Sequence, residues 1–276
     1  MDKTETLNLL GDSKLIEKLT HVEHKNLLTH IWNLIGLAEI PNTIDLPYTQ
    51  NLVSYVNKHI ATEEGFSYTG IATEIVPCYN ALIFEAYCRL GLGHTDEAQA
   101  ALNWIKQYQV FDRVTKTTWP YEGICKHGGC MKNVPFFIGI GKTVRALITY
   151  RDFSQNEDTE VNQLIQIGLE YMMQHHMFQR LSNQKPISPH ITDIMFPQSY
   201  VLSLTDIVYI IGKTNSLNRP EILPVLDLLK DKQTSTSGWK IDYIYSYQGY
   251  VPFDNRRKDS EWITSLFLSW LGTDVF

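Results

Sequence analysis

Residues 220–239, PEILPVLDLLKDKQTSTSGW, decide the reading of the fold. Ile222, Val225, Leu226 and Leu229 recur at the three- and four-residue spacing of an amphipathic helix. Pro220 suits the first turn of such a helix. Gln233 ends the stretch, and a short polar run leads to Gly238-Trp239. The arrangement recurs upstream. Leu102, Ile105 and Gln109 match Leu226, Leu229 and Gln233, as do Leu169, Met172 and His176. A looser copy lies at Val53, Val56 and Ile60. Three of the four copies are followed by a loop with glycine and an aromatic: Gly65-Phe66, Trp119 to Gly123, and Gly238-Trp239. The spacing of roughly 50 to 70 residues leaves room for one helix hairpin per copy at ~1.5 Å rise per residue.

Around these copies the chain alternates between two kinds of helix. Segments 95–109 and 158–178 carry a single apolar stripe, the second with Asp158 or Thr159 as its cap. Segments 77–90, 134–150, 197–211 and 262–271 are apolar on more than one side, which predicts burial all round. Pro77, Pro135 and Pro197 stand near the expected first turns of the first three. Strand-like alternation is confined to 239–245, read as a short extended stretch or hairpin. No linker or shift in composition divides the chain. The expectation is a single all-α domain over 1–276, built from about four or five helix pairs, with 1–47 as an N-terminal helical extension.

Composition narrows the function classes. Hydrophobic residues make up 43% and charged residues 20%, which supports a sizeable core. The 24 basic and 30 acidic residues give a net charge of −6, which argues against a dedicated nucleic-acid binder. No apolar run reaches the ~18 residues of a membrane span. The charged opening Met1 to Glu5 has no apolar signal region, so secretion by that route is not expected, and four cysteines do not make a disulfide framework in a chain of this size. A cytoplasmic setting is expected.

The repeated helix, its terminal Gln and the following Gly-Trp resemble the Gln-Trp repeat of the α/α-toroid proteins. These include squalene and other terpene cyclases and the β subunits of protein prenyltransferases. Cys125 to Cys130, running on through Lys142 to Leu147, looks like a smaller bacterial prenyltransferase-like group. Phe196-Pro197, Tyr200, Thr205-Asp206 and Trp262 to Thr264 fit the same group. The resemblance spans roughly residues 50 to 272 and implies an α/α-toroid. It implies less about activity. The Asp-X-Asp-Asp acid motif of the hopene-forming cyclases is absent, and Asp206 stands alone. The dispersed Asp, Cys and His zinc set of the prenyltransferases cannot be traced here. The chain is also short for a full ring of six or seven hairpins, so an incomplete ring is expected.

Cys125-x-His127-x-x-Cys130 is the sharpest local motif. Two thiolates and an imidazole suit Zn2+, with a fourth position open to water or a substrate thiol. Burial of the cysteines as small hydrophobes, or a redox pair of Cys125 and Cys130, fits the same residues. Glu74, Cys78, Cys130, Gln198, Tyr200, Glu261 and Trp262 all fall near starts of the apolar helices. In a toroid they would share one mouth. Capping and packing explain them equally well.

Asp206, inside an apolar segment, is expected to be buried. Unpaired, its pKa would rise and suit an acid catalyst; Lys142 and Arg145 are candidate ion partners that would make it structural. His176 holds the repeat position and is expected to face inward. His190 with Asp193 could line the mouth. The tyrosines at 243, 245, 247 and 250 are core filler, a recognition surface or a lining that stabilises cations.

The leading expectation is a prenyltransferase- or terpenoid-cyclase-like enzyme acting on a hydrophobic or isoprenoid-like small molecule. Zinc would sit on Cys125, His127 and Cys130, Asp206 would be acid or orienting group, and Tyr200 and His176 would line the cavity. The alternative is a non-catalytic scaffold that holds a peptide or protein partner in its central cavity. A third reading, a carbohydrate-active enzyme, would need a facing carboxylate pair such as Glu122 and Asp242.

Overall fold

A computed structural model describes residues 3–112, 115–121, 136–154 and 157–273. Eleven α-helices appear among them, with one two-stranded hairpin (β1, Ala61–Thr62; β2, Gly65–Phe66). None is long and apolar enough to cross a membrane.

The helices sort largely as their patterning predicts, except that the last, Glu261–Leu271, expected to be buried all round, buries only the stripe Ile263, Phe267 and Leu271. Five form an inner row: α3 (Leu27–Ala38), α5 (Pro77–Arg89), α7 (Phe137–Phe153), α9 (Leu204–Lys213) and α11 (Glu261–Leu271). Each packs on the next in chain order. Side-chain pairs show that all five run the same way. Trp32, midway along α3, meets Tyr79 near the start of α5, while Glu39 and Arg89 meet at the helix ends. Gly139 abuts Pro77, and Phe84 meets Tyr150 farther along. Thr149 bonds Tyr209, and Gly212 lies against Trp270. The single-stripe helices return the chain on the outside. Of these, α4 (Pro47–His59) packs on α3, α6 (Asp96–Tyr108) on α5, and α8 (Thr159–Gln174) on α7. After a 3-10 turn at Pro220–Ile222, α10 (Leu223–Lys232) returns the chain toward α11. Two short helices, α1 (Lys3–Gly11) and α2 (Lys14–Thr20), precede the row.

The repeated residues seal each hairpin. Ile105, Met172 and Leu229 are fully buried. Gln109 and Gln233 cap the ends of α6 and α10, and their amides bond the loops that follow. The loop aromatics then turn back as plugs. Phe66 packs on Tyr87, Trp119 on Trp104, and Trp239 on Phe267, with Trp239 Nε1 donating to the Leu229 carbonyl.

Three expectations are corrected. The apolar segment 197–211 is helical only from Leu204. Ser203 Oγ accepts from Asp206 N while an Asp206 oxygen accepts from Ser203 N, and this reciprocal cap sets the start in place of Pro197. Residues 239–245, read as a short extended stretch or hairpin, form no hairpin. They run alongside Ile194, whose carbonyl accepts from Asp242 N, with no partner strand to complete a ladder. Leu27–Ala38, read as part of an N-terminal helical extension, is the first member of the inner row and almost wholly buried.

The segment after Trp239 also joins the two ends of the row. Tyr245 and Tyr247 pack on Trp32 of α3. Gly249, at φ 88°, comes so close to Thr29 that a Cβ there would lie 2.6 Å from the Thr29 carbonyl oxygen. Only glycine meets both demands.

Candidate functional site

A buried charged assembly fills the middle of the inner row. Arg145 of α7 stands at its centre. Its Nε donates to both Glu85 oxygens at 3.0 and 3.1 Å, Nη1 reaches Asp206 at 2.6 Å, and Nη2 reaches Glu39 at 3.1 Å. Lys142, one turn earlier, donates to the other Asp206 oxygen at 2.9 Å and to Gln198 at 3.3 Å. Arg89 bonds Glu85 and meets Glu39. Arg145 also lies over the Tyr209 ring at 4.9 Å. Glu39, Glu85 and Asp206 thus face Arg89, Lys142 and Arg145, three charges of each sign.

The pairing sets the protonation states. Burial alone would raise the Glu85 pKa; the Arg145 and Arg89 charges reverse that and hold it at about 2. For Asp206, burial is likewise outweighed by Lys142, Arg145 and the Ser203 N–H, and its pKa falls below the ordinary value. For Lys142 burial wins: its pKa falls despite the Asp206 charge, and Arg145 adds to the lowering. Asp206 is therefore an ionised, fully partnered carboxylate at neutral pH, without the raised pKa of a proton donor.

Above this assembly, at the starts of the inner helices, lies a ring of aromatics. Tyr68 stacks on Tyr79 at 4.5 Å, and Tyr79 faces Tyr200 at 6.5 Å. Tyr200 meets Tyr245 at 5.7 Å, and Tyr245 stacks on Tyr247 at 5.9 Å. Trp32 lies beneath, touching Tyr79, Tyr245 and Tyr247. It is 1% exposed and its indole Nε1 has no hydrogen-bond partner, whereas Tyr200 is 37% exposed. Burial raises the pKa values of Tyr79 and Tyr245, so both keep their hydroxyl protons. Tyr250, which packs on Tyr245, links the ring to the charged assembly by donating to the Pro197 carbonyl beside Gln198.

The residues singled out from sequence fall in different places. Asp206 belongs to the charged assembly and Tyr200 to the aromatic ring, with Gln198 bonded to Lys142 of the assembly. Cys78 is buried at the start of α5, and Trp262 packs on Phe196 and Phe253. His176 lies past the end of α8, where its Nδ1 pairs with the Glu221 carbonyl in the outer layer. The residue turned inward is its neighbour His175, which is 3% exposed and packed on Phe137 and Tyr171. The chain tightens after α8, where His176 and Met177 both have positive φ, and this shifts the inward position by one residue. His190 bonds Asp193 at 2.7 Å and stacks on Tyr243 at 3.7 Å. Cys125, His127, Cys130 and Glu122 lie outside the described residues. Among the described residues no cluster of three or more His, Cys, Asp or Glu side chains could hold a metal ion.

Sequence reasoning named Lys142 and Arg145 as partners of Asp206 but missed Glu39, Glu85, Arg89, Trp32 and Tyr79. The signal for two of them was present: Glu85 and Arg89 are one helical turn apart in an otherwise uncharged segment. No protein-family model, curated protein or solved structure matches the chain.

Proposed function

We propose that the protein is a non-catalytic scaffold of the α/α-toroid kind that holds a peptide segment of a partner at its tyrosine mouth. The observation that carries this reading is Trp32, a buried indole with an unpartnered N–H beneath Tyr79, Tyr245 and Tyr247. A buried donor without an acceptor is costly, and a peptide carbonyl entering the mouth would supply one. Tyrosines offer large contact area with little side-chain entropy to lose. The charged assembly fits the same role, because its acids and bases are spent on one another.

The test is a displayed library of random peptides selected on the whole protein and counter-selected on Tyr200→Ala. An enriched sequence that binds wild type and loses affinity for Trp32→Phe supports the reading. Absence of any enriched sequence, or binding that ignores both variants, overturns it.

A second reading, the prenyltransferase- or cyclase-like enzyme, is favoured by one observation. The chain enters α7 at the same end of the inner row as the tyrosines, and residues 122–135 directly precede that start. In this reading Cys125, His127 and Cys130 would hold Zn2+ and the aromatic faces would receive an isoprenoid-like substrate, with Asp206 as an orienting group, Tyr200 at the lining and His176 farther out. Metal analysis of freshly reduced wild type and Cys130→Ala decides it. About one zinc per chain, lost in the variant, supports the site; none in wild type removes it.

A further inference from the structure

The opposite end of the inner row carries a second set of features, independent of the tyrosine mouth. A cavity of about 730 Å3 opens where α5 and α7 finish. That volume lies within the range of small-molecule sites, roughly 300–1,000 Å3. Tyr150 and Phe153 form one wall, and Phe153 is 56% exposed. Gly91 forms part of another, and a Cβ built there would meet nothing within 4 Å. Gln99 closes the side, its amide fixed by a 2.7 Å bond to the Gly93 carbonyl. The same Gln99 lines a smaller hollow of about 290 Å3 along α6. Asn103 and Gln107 follow Gln99 at four-residue intervals, so the three amides share one helix face. Glu63, Glu64 and Asp96 border the hollow, and Trp104 lines it. Trp104 is 1% exposed, and its Nε1 has no partner in the protein.

We propose that these two hollows form one binding cleft for a neutral oligosaccharide. Each part of the lining fits that chemistry and fits others less well. A sugar hydroxyl both donates and accepts. It can donate to Glu63, Glu64 and Asp96, pair both ways with the amides, and accept from the Trp104 N–H. The aromatic wall of Tyr150 and Phe153 suits the apolar C–H face of a pyranose. Anionic ligands are disfavoured twice: by the three carboxylates, and by the partial negative charge at the ends of α5 and α7. Neither lining includes a lysine or arginine among the described residues; the carboxylates border the smaller hollow, and His94 is the one basic side chain in the larger. A purely cationic ligand would leave the Trp104 donor unanswered.

The test uses the whole protein on a printed array of neutral and acidic glycans. Saturation-transfer NMR with soluble gluco-, galacto-, manno- and N-acetylglucosamine oligomers covers weak binding. Wild type is expected to bind at least one neutral oligosaccharide. Asn103→Ala, Gln107→Ala and Phe153→Ala, all at exposed positions, should keep the wild-type melting profile and each weaken binding, by roughly tenfold for a lost ~1.4 kcal/mol. Trp104→Phe, which removes only the N–H and one ring, should weaken it too. Tyr200→Ala should bind as wild type does, separating this cleft from the mouth. No binding by wild type in either format, a preference for acidic glycans, or affinity unmoved by the four cleft variants would overturn the proposal.

Discussion

Arg145 and Asp206 meet at 2.6 Å in the middle of the inner row, with Arg145 1% exposed and Asp206 fully buried. The same carboxylate caps α9 through Ser203, so one side chain fixes both a helix start and the contact between α7 and α9.

Asp206→Ala should therefore be among the most damaging single changes in the chain. It strips a partner from two buried cations and removes a helix cap. Breaking a buried ion pair from one side costs about 3–5 kcal/mol. Urea denaturation should show a loss of that order, with Asp206→Asn smaller because the amide still accepts from Ser203. A variant with wild-type stability would mean that the assembly does not hold the row together.

Acid should loosen the same centre. Glu85 has a folded pKa of about 2 against an ordinary 4.5, so the folded state binds this proton less readily than the unfolded chain. Its contribution to stability is complete above the ordinary value and is lost as pH falls from about 4.5 toward 2. Glu85→Gln should start less stable at neutral pH and show a flatter decline across that window. Melts of the two proteins at stepped pH check this, and parallel declines would refute it.

A second pH effect should appear nearer neutrality. His30 is 8% exposed, stacked on Tyr55 at 3.8 Å, and its ring lies 4.0 Å from His24. Burial lowers its pKa; the Asn26 carbonyl opposes this, and His24 and His59 add to the lowering. The sign matches that of Glu85: stability is complete above about 6.5 and falls as pH drops below it. His30→Phe keeps the stack and removes the titration. Its melting temperature should fall less than that of wild type between about pH 7 and pH 5.

Tyr200 and Trp239 should separate binding from folding. Trp239 is fully buried, and its truncation to alanine should cost about 3–5 kcal/mol. Tyr200 is 37% exposed, and Tyr200→Ala should change stability little while removing capture of a selected peptide. Calorimetric melts beside peptide titrations give both readings. Equal destabilisation by the two changes would make Tyr200 a packing residue.

The helical hairpins were legible because their cause is local. The stripe of Ile105 and Leu229 and the caps at Thr95 and Asp158 are each written within a few residues. The charged assembly was half legible. Asp206, Lys142 and Arg145 stood out as charges in apolar segments, but Glu39 joins them from the end of α3, 106 positions from Arg145, and nothing near it signals the partnership. The aromatic ring was hidden for a similar reason. Tyr79 and Tyr245 meet across Trp32 only because the chain after α10 crosses to α3. The error at His176 came from extending helical spacing past the end of α8, where positive φ values break the register.

The contact between Gly249 and Thr29 has a consequence for how the chain is made. Most helical arrays can mature hairpin by hairpin as they leave the ribosome. Here the start of α3 receives its cover from residues about 220 positions later, at Gly249 and the tyrosines beside it. At ~5–20 residues per second, that face waits roughly 10 to 45 s for its partner. Tyr79 reaches Trp32 early, but the side of Trp32 that Tyr245 and Tyr247 cover stays open for that interval, a stretch of synthesis in which a holding chaperone has an apolar face to bind.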